Sequence, residues 1–180
     1  MALVLREPRL DDRDVCLDAH AELAHDHFDF LLNFEPSMQW SEYLDMLKDC
    51  AAGRNLTSDR VPAAFRIADV EGEVVGRISI RFALNDFLST RGGHIGYAVR
   101  PTYRRRGYAT TMLAQGLILA NARGIDPVLV TCDDSNTGSA TVIERGGGIL
   151  ESTFVGDDGV HVRRYWITKA MDSPLTTTGA

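Results

Sequence analysis

The sequence predicts an α+β fold with a mixed, mostly antiparallel sheet and helices on both faces. Two apolar runs, residues 63–70 and 73–81, are separated by a Glu-Gly pair that is typical of a β-hairpin turn. Farther along, a strand pattern at 94–99 is followed by an amphipathic helix and a second apolar run at 127–132. This order predicts a central β-α-β unit, in which a crossover helix joins a parallel pair of strands.

The N-terminal third is predicted to supply one strand and two helices. Residues 3–6 form a short apolar run suited to a first strand, and Asp11 or Asp12 can cap the helix that follows. Ser41 is the expected N-cap of a second helix over residues 42–52, which carries apolar side chains on one face.

The C-terminal part is predicted to add a helix and a last pair of strands. A helix over residues 137–146 precedes strands at 149–155 and 160–168. With 180 residues and 44% hydrophobic content, we expect one domain over residues 1–172. Residues 173–180 lack core side chains and are expected to form a flexible tail.

The composition limits the expected cellular location of the protein and the classes of partner that it binds. The net charge of −6 argues against general nucleic-acid binding, which favours a basic face. The N-terminal apolar run is too short for a signal peptide, and no segment approaches the ~20 apolar residues of a membrane helix. We therefore expect a cytoplasmic protein without membrane or nucleic-acid partners. The three cysteines are far apart and predict neither a disulfide framework nor a zinc site: Cys16, Cys50 and Cys132.

Positive charge is concentrated where the 94–99 strand leads into the next helix. Arg104, Arg105 and Arg106 precede Gly107, where the helix is expected to begin. Unpaired N–H groups at a helix N-terminus favour anions, and glycine lets the backbone approach a ligand closely. The pattern indicates a pyrophosphate cradle, although a solvated turn would carry the same arginines. The helix has small and apolar residues on one face: Ala109, Met112, Leu113, Gly116, Leu117 and Ala120.

The pattern V-R-P-x-x-R-x-x-G-x-A, from Val99 to Ala109, resembles the acetyl-CoA signature of the GNAT N-acetyltransferase family. The resemblance extends over residues 61–169, and the flanking strand and helix support it. It implies a GNAT-like fold whose central β-α-β unit binds acetyl-CoA as the co-substrate. It also implies that backbone N–H groups of residues 105–110 bind the CoA pyrophosphate and that two threonine hydroxyls can donate to it. The cofactor-binding residues of this segment would be Arg104, Arg105, Arg106, Gly107, Tyr108, Ala109, Thr110 and Thr111.

The same resemblance implies that the signature strand, residues 94–99, binds the remaining part of acetyl-CoA. Ala98 and Val99 would lend backbone amides and carbonyls to the pantetheine arm. The Val99 N–H would also polarise the thioester carbonyl, as a backbone oxyanion donor does.

A second block, Asn136, Ser139, Glu144 and Gly147, resembles another GNAT pattern. Asn136 would either contact the pantetheine arm or cap the helix, and Ser139 takes the small-residue position beside it. Many family members place a tyrosine one residue before the acidic position, where it protonates the departing thiolate, but this chain has Ile143. Either the thiolate leaves without an acid, or a tyrosine elsewhere supplies the proton: Tyr97 or Tyr103.

A general base is needed because an amine of pKa near ~10 is almost wholly ammonium at neutral pH, and freeing its lone pair costs ~4 kcal/mol. His94 occupies the position on the signature strand where GNAT members often have a catalytic glutamate, and imidazole titrates in a suitable range. The alternative is a histidine satisfied within the sheet. Asp86 and Glu35 are further candidates for the base.

Histidines, acids and aromatic residues cluster between the first two helices. Their spacing matches no metal motif, so no metal site is predicted. The cluster is either solvated or lines an acceptor pocket, and its aromatic members can equally belong to the core. Its members are His20, His25, Asp26, His27, Phe28, Asp29, Phe30, Phe34 and Trp40. Cys132 is expected to be a buried strand cysteine and not a nucleophile.

The resemblance implies an acetyl-CoA-dependent N-acetyltransferase in which a primary amine attacks the thioester directly. The acceptor would be a small molecule or a peptide, and the sequence does not identify it. A non-catalytic acyl-CoA-binding module is the alternative, since Ile143 and His94 both depart from the family pattern. Many GNAT members pair, so a homodimer is one expected assembly.

Overall fold

Two antiparallel sheets form the framework of the chain, in a computed structural model that describes residues 2–156 and 158–169. The first sheet contains, in spatial order, β1 (Val4–Arg6), β2 (Ala63–Val70), β3 (Glu73–Arg81) and β4 (Ile95–Val99). The second contains β5 (Val128–Asp133), β6 (Ile149–Val155) and β7 (His161–Ile167), with β7 in the centre. The helices are α1 (Arg13–Ala24), α2 (Trp40–Ala51), α3 (Asp86–Thr90), α4 (Tyr108–Asn121) and α5 (Thr137–Arg145).

The predicted hairpin of β2 and β3 is confirmed, with the same strand bounds. Glu71 and Gly72 both have positive φ, 55° and 90°, as a type I′ turn requires. The Asp69 carboxylate accepts the Gly72 N–H at 2.8 Å and holds the turn closed. This hairpin fixes the register of the sheet to which β4 is added.

Helices cover both faces of the first sheet, as predicted. On one face α1 and α2 bury side chains such as Leu23 and Tyr43 against Phe65 of β2. On the other face α4 packs against β3 and β4, and Gly116 permits this approach because a Cβ there would lie 2.6 Å from Ile78 Cδ1. Each face therefore has its own apolar core, and the mixed α+β fold class is confirmed.

The predicted parallel ladder between β4 and β5 is wrong in one respect. The His94 N–H donates to the Leu129 carbonyl at 2.7 Å, but within the described residues β4 and β5 belong to separate sheets. The crossover through α4 is present, yet the two strands touch only where they begin and then diverge. This divergence leaves the outer edge of β4 unpaired.

Two local predictions are also corrected. Helix α2 begins at Trp40 and not after Ser41, because the Glu42 carboxylate accepts the Gln39 N–H at 3.0 Å and fixes the start two residues earlier. The connection between β3 and β4 contains the short helix α3, which the sequence did not predict. Asn85 caps it by accepting the Leu88 N–H at 2.9 Å.

No helix in the described part of the chain is long and apolar enough to cross a membrane. The predicted tail, residues 173–180, lies outside the described residues. The expectation of one domain over residues 1–172 stays a prediction.

An ion-pair network ties β1 and the start of α1 to the hairpin, and it gives a test of the fold. Arg6 contacts Asp12 at 2.7 and 2.8 Å and Asp69 at 2.7 Å. Burial pushes the pKa of Asp12 up, but the bonds from Arg6 and the Arg9 N–H outweigh it and the pKa is lowered. The folded-state pKa thus lies below the unfolded value of ~3.9, so this contribution is present above pH ~4 and is lost as the pH falls below it.

We predict that Asp12→Asn lowers the free energy of unfolding by about 2–4 kcal/mol at pH 7, because it removes one of the two carboxylates that pair with the largely buried Arg6 guanidinium. Urea denaturation from pH 7 to pH 3 should show the deficit shrinking below pH ~4. The control is Asp14→Asn, whose exposed pair with Arg13 should matter little. A deficit that is the same at pH 3 and pH 7 would contradict the ion-pair account.

Candidate active site

A cleft opens where β4 and β5 diverge, and residues of α1, β4 and α5 line it. We call this cavity of about 400 Å³ the cleft. Successive N–H groups of a strand point to opposite sides. Because the Arg100 N–H donates to the Val75 carbonyl at 2.9 Å, the Val99 and Tyr97 N–H groups face away from β3 and into the cleft. Among its lining residues are Leu23, Asp26, Phe28, Tyr97, Val99 and Ser139.

Of the two residues predicted to lend their backbone to a pantetheine arm, Val99 has the required orientation and Ala98 does not. Ala98 lines the cleft, but it pairs with Arg77 of β3, and its carbonyl lies against Gly76. Its polar backbone groups are therefore directed into the sheet. The Tyr97 N–H, which the sequence did not assign to this task, has the same orientation as that of Val99.

The predicted cradle at the start of α4 has the required backbone geometry. Arg105 and Gly107 adopt positive φ, 64° and 81°, and the helix begins at Tyr108. The first helical bond runs from the Thr111 N–H to the Gly107 carbonyl at 3.2 Å, so the amides of residues 108–110 have no acceptor within the helix. They lie at a cavity of about 350 Å³, the cradle cavity, which adjoins the cleft at Val99.

The three signature arginines have different partners. Arg104 forms an ion pair with Asp26 and donates to the Val99 carbonyl at 3.1 Å. Arg105 lines the cradle cavity. Arg106 turns away, since it donates to the Thr102 carbonyl at 3.2 Å and stacks 5.6 Å from the ring centroid of Tyr103. The Arg106 guanidinium is therefore directed away from the cradle cavity, and binding of a cofactor through the Arg106 backbone stays a prediction.

Two further residues change the set of residues expected at the cradle cavity. The Thr111 hydroxyl donates to the Gly107 carbonyl at 3.4 Å, so it is turned back onto its own helix. Arg145, at the end of α5, lines the cradle cavity and was missed. It comes from a distant part of the chain through the packing of α5 on α4, so no local sequence signal could have identified it. Tyr108, Ala109 and Thr110 line the cavity as expected.

The start of α5 faces β4 across the cleft. Asn136 accepts the Ser139 N–H at 3.0 Å, which supports the capping role, and it also lines the cleft. The Ser139 hydroxyl lies 3.0 Å from the Tyr97 hydroxyl. Burial raises the pKa of Tyr97 to about 12, so this phenol keeps its proton at neutral pH.

The positions of Ile143, Tyr103 and Tyr97 bear on which residue could donate a proton to the departing thiolate. Ile143 is fully buried in the core and cannot act on a ligand. Tyr103 directs its hydroxyl to the Glu73 carboxylate at 2.9 Å, on the outside of the molecule. Tyr97 is the tyrosine whose hydroxyl lies at the cleft.

His94 does not have the geometry that the predicted base requires. Its Nδ1 accepts the Leu129 N–H at 2.9 Å, so the neutral ring has no lone pair left for a substrate proton. The side chain is 8% exposed, and burial together with the charge of Arg81 lowers its pKa. His94 serves to join the two sheets. Asp86 and Glu35 are exposed and line neither the cleft nor the cavity beside it.

A second cavity of about 240 Å³, the side cavity, continues the cleft past Tyr97 and Ser139. Asp133 is the one carboxylate among the described residues that line it. Its Oδ1 lies 3.2 Å from Arg91 Nη2, and Arg91 also contacts Asp158 at 2.5 Å. The sequence had not singled out Asp133, which lies at the end of β5 and lines this cavity together with residues from distant parts of the chain.

The histidine and aromatic cluster divides between surface, core and cleft. His25 and His27 are exposed, and His20 accepts the Leu31 N–H at 3.2 Å. Within the described part of the chain, no three or more histidine, cysteine, aspartate or glutamate side chains are grouped so that they could hold a metal ion. Phe30 and Trp40 are buried core residues, whereas Phe28 lines both the cleft and the side cavity.

Cys132 lines the side cavity, and burial raises the pKa of its thiol to about 11. It is therefore almost wholly protonated at neutral pH. This agrees with the expectation of a buried strand cysteine rather than a nucleophile.

Comparison with known proteins identifies the family. The model of the acetyltransferase (GNAT) domain matches residues 2–149. No curated protein sequence gives a significant match.

Solved structures share the fold at low identity. RimJ of Mycobacterium smegmatis, in complex with CoA-disulfide, has a TM-score of 0.68 at 21% identity, over 96% of this chain and 84% of that chain. A chimera of the spermidine N-acetyltransferase SpeG from Vibrio cholerae and hSSAT has a TM-score of 0.64 at 15% identity, over 93% and 96%. The yncA protein of Salmonella typhimurium, with its cofactor acetyl-CoA, has a TM-score of 0.65 at 12% identity, over 97% and 98%. The family model covers most of the chain, and the chain belongs to the GNAT acetyltransferase family.

Proposed function

We propose that this protein transfers the acetyl group of acetyl-CoA to a primary amine by direct attack on the thioester. Acetyl-CoA is the co-substrate of the family to which the chain belongs. The observation that supports the proposal most directly is the continuity of the cradle cavity, the cleft and the side cavity. They provide one path for an anionic cofactor, its thioester and an acceptor.

The cofactor is held at two places. The free amides of residues 108–110 bind the pyrophosphate, assisted by the charges of Arg105 and Arg145 at the rim of the cradle cavity. The pantetheine arm lies along the open edge of β4, where the N–H groups of Tyr97 and Val99 have no strand partner among the described residues. This places the thioester at the centre of the cleft.

The chemical step depends on two donors. The Val99 N–H polarises the thioester carbonyl and stabilises the oxyanion that forms when the amine attacks the carbonyl carbon. As the C–S bond breaks, the sulfur leaves as a thiolate, for which a thiol pKa near ~8.5 is favourable. Tyr97 is a weaker acid than such a thiol. It therefore stabilises the thiolate by a hydrogen bond and does not transfer its proton.

The amine must lose a proton to react. Asp133 is the carboxylate that faces the side cavity, where it attracts the ammonium form of the acceptor. We assign to Asp133 the role of holding the amine and accepting its proton, directly or through water, and the proton then reaches the departing thiolate.

A second candidate function is binding of acyl-CoA without turnover. Ile143 is locked in the core, and His94 is held in a structural bond, so two positions that often carry catalytic groups in the family have none here. Turnover separates the two candidates.

We expect thiol release from acetyl-CoA in the presence of at least one class of primary amine. The measurement is a thiol assay over amino acids, polyamines, aralkylamines and peptide N-termini, with acetyl-CoA binding followed in parallel by calorimetry. Binding without release on any of these acceptors would favour the binding module. Absence of acetyl-CoA binding would contradict both candidates.

Tyr97→Phe should lower kcat about 10- to 100-fold, because the leaving thiolate loses its hydrogen-bond donor. The KM for acetyl-CoA should change little, since the hydroxyl acts after binding. The control is Tyr43→Phe, which removes a hydroxyl bonded to the Leu32 carbonyl in the other core. An unchanged kcat for Tyr97→Phe would show that the Tyr97 hydroxyl has no part in the chemical step.

Arg145→Gln should weaken acetyl-CoA binding about 3- to 10-fold, since one partly exposed charge at a phosphate is worth ~1 kcal/mol. Arg106→Gln is the matched comparison, because its guanidinium points away from the cradle cavity. Calorimetric titration with acetyl-CoA measures both. If Arg106→Gln caused the larger loss, the assignment of the two arginines would be reversed.

A further inference from the structure

Arg81 lies between two cavities at the C-terminal end of β3. One is the side cavity, into which the acceptor amine enters under the proposed function. The other, which we call the inner pocket, has a volume of about 210 Å³ and lies between α2, the β2–β3 hairpin and α3. Arg81 lines both, so a ligand group bound to its guanidinium is at the junction of the two spaces.

The guanidinium of Arg81 is incompletely partnered. Its Nη1 donates to the Gly92 and Gly93 carbonyls at 2.9 and 3.1 Å. Within the described residues neither Nη2 nor Nε has an acceptor, and no carboxylate lies within ion-pair distance. Burial lowers the pKa of Arg81, which reflects the unfavourable desolvation of the cation. A buried charge of this kind is stabilised by an anion.

Two other arginines near the site have carboxylate partners, which Arg81 lacks among the described residues. Arg91 pairs with two aspartates, and Arg100 pairs with Glu22 at 2.6 Å. Asp59 lies at the rim of the inner pocket, but it forms no ion pair with Arg81. Arg91 and Arg100 therefore have carboxylate partners, whereas among the described residues Arg81 has none and its guanidinium is available to an anionic ligand.

The surroundings of Arg81 leave room for a small anion beside β4. Gly96 lies under the guanidinium, and a Cβ there would be 3.4 Å from both Nη atoms. Gly96, Tyr97 and Asp133 line the same side cavity as Arg81, so an anion at Arg81 shares this cavity with the Tyr97 side chain and the Asp133 carboxylate.

A second buried arginine on the same face of β3 reinforces the positive field. Arg77 donates to the Asp29 carbonyl at 2.6 Å and to the Gly96 carbonyl at 3.3 Å, and it stacks 4.4 Å from the centroid of Phe28. It also has no carboxylate partner in the described part of the chain. The Arg77 guanidinium thus contacts the ring of Phe28, which lines the cleft and the side cavity.

The inner pocket is predominantly apolar. Its walls include Leu32, Met46, Leu47, Phe65 and Leu88, with Ser79 beside Arg81 on the strand. Its volume exceeds the ~150 Å³ of an apolar cavity that admits benzene. A branched aliphatic or aromatic side chain fits such a space.

We propose that the acceptor is a free α-amino acid with an apolar side chain, whose carboxylate binds Arg81 while its amine faces Tyr97 and Asp133. The side chain occupies the inner pocket. This inference rests on the proposed function for the meaning of the side cavity. It selects against polyamines, which lack the carboxylate, and against amidated or decarboxylated amines of the same shape.

The test compares leucine, methionine and phenylalanine with their amides and with the decarboxylated amines 3-methylbutylamine, 3-methylthiopropylamine and phenethylamine. For wild type, kcat/KM for the amino acid should exceed that for the matched amine about 10- to 100-fold, as a charge-assisted pair to arginine implies. Arg81→Gln should abolish this ratio, and Arg81→Lys should retain part of it. The control is Arg13→Gln, the same charge change at an exposed position of α1.

A binding measurement separates this inference from the transferase proposal. Leucine is titrated into the protein saturated with CoA, and we expect binding that Arg81→Gln removes and Arg13→Gln preserves. If leucine binds in this way while no amine is acetylated, the carboxylate site stands and the transferase proposal fails. If wild type acetylates the decarboxylated amines as well as the amino acids, the transferase stands and the assignment of Arg81 is overturned. Absence of both binding and turnover for all three amino acids also overturns it.

Discussion

The contact between His94 and Leu129 is the constraint on which the site depends. The backbone bond from His94 and the bond from Leu129 to the imidazole fasten the two sheets where β4 and β5 begin. Beyond this point the strands diverge, and the unpaired edge of β4 becomes one wall of the cleft. A continuous ladder would have paired these amides with β5 and left no place for a thioester. The histidine is therefore important to the site although it is not placed to exchange a proton with a substrate.

The charged residues of the site differ in whether they have an ion-pair partner and in where they lie. Arg100 pairs with Glu22 of α1 and Arg104 pairs with Asp26 in the turn after α1, and these ion pairs join the signature segment to the opposite wall of the cleft. Arg105 and Arg145 lie at the cradle cavity, and Arg81 lies at the far end of the path. Anionic groups are thus expected at both ends of the cavity system, with the hydroxyls of Tyr97 and Ser139 between them. The acidic net charge of the whole chain gives no hint of this arrangement.

Local patterns in the sequence predicted the elements well and the contacts between distant elements poorly. The β2–β3 hairpin and the glycine start of α4 were predictable because a few adjacent residues determine them. The divergence of β4 from β5 was not, since it arises from packing between residues far apart in the chain. For the same reason Arg145 and Asp133 were missed. The sequence left two roles open for His94, a general base or a histidine satisfied within the sheet, and the structure supports the second. The direction of the Arg106 guanidinium was not predictable either, because sequence does not show the direction of a side chain.

The most direct test of this account is a crystal structure of the protein with CoA. We expect the pyrophosphate on the amides of residues 108–110 and the pantetheine arm along the open edge of β4. The thiol should lie within hydrogen-bond distance of the Tyr97 hydroxyl, with the His94–Leu129 contact intact. A pyrophosphate bound away from the start of α4, or a thiol outside the space between β4 and β5, would contradict the account.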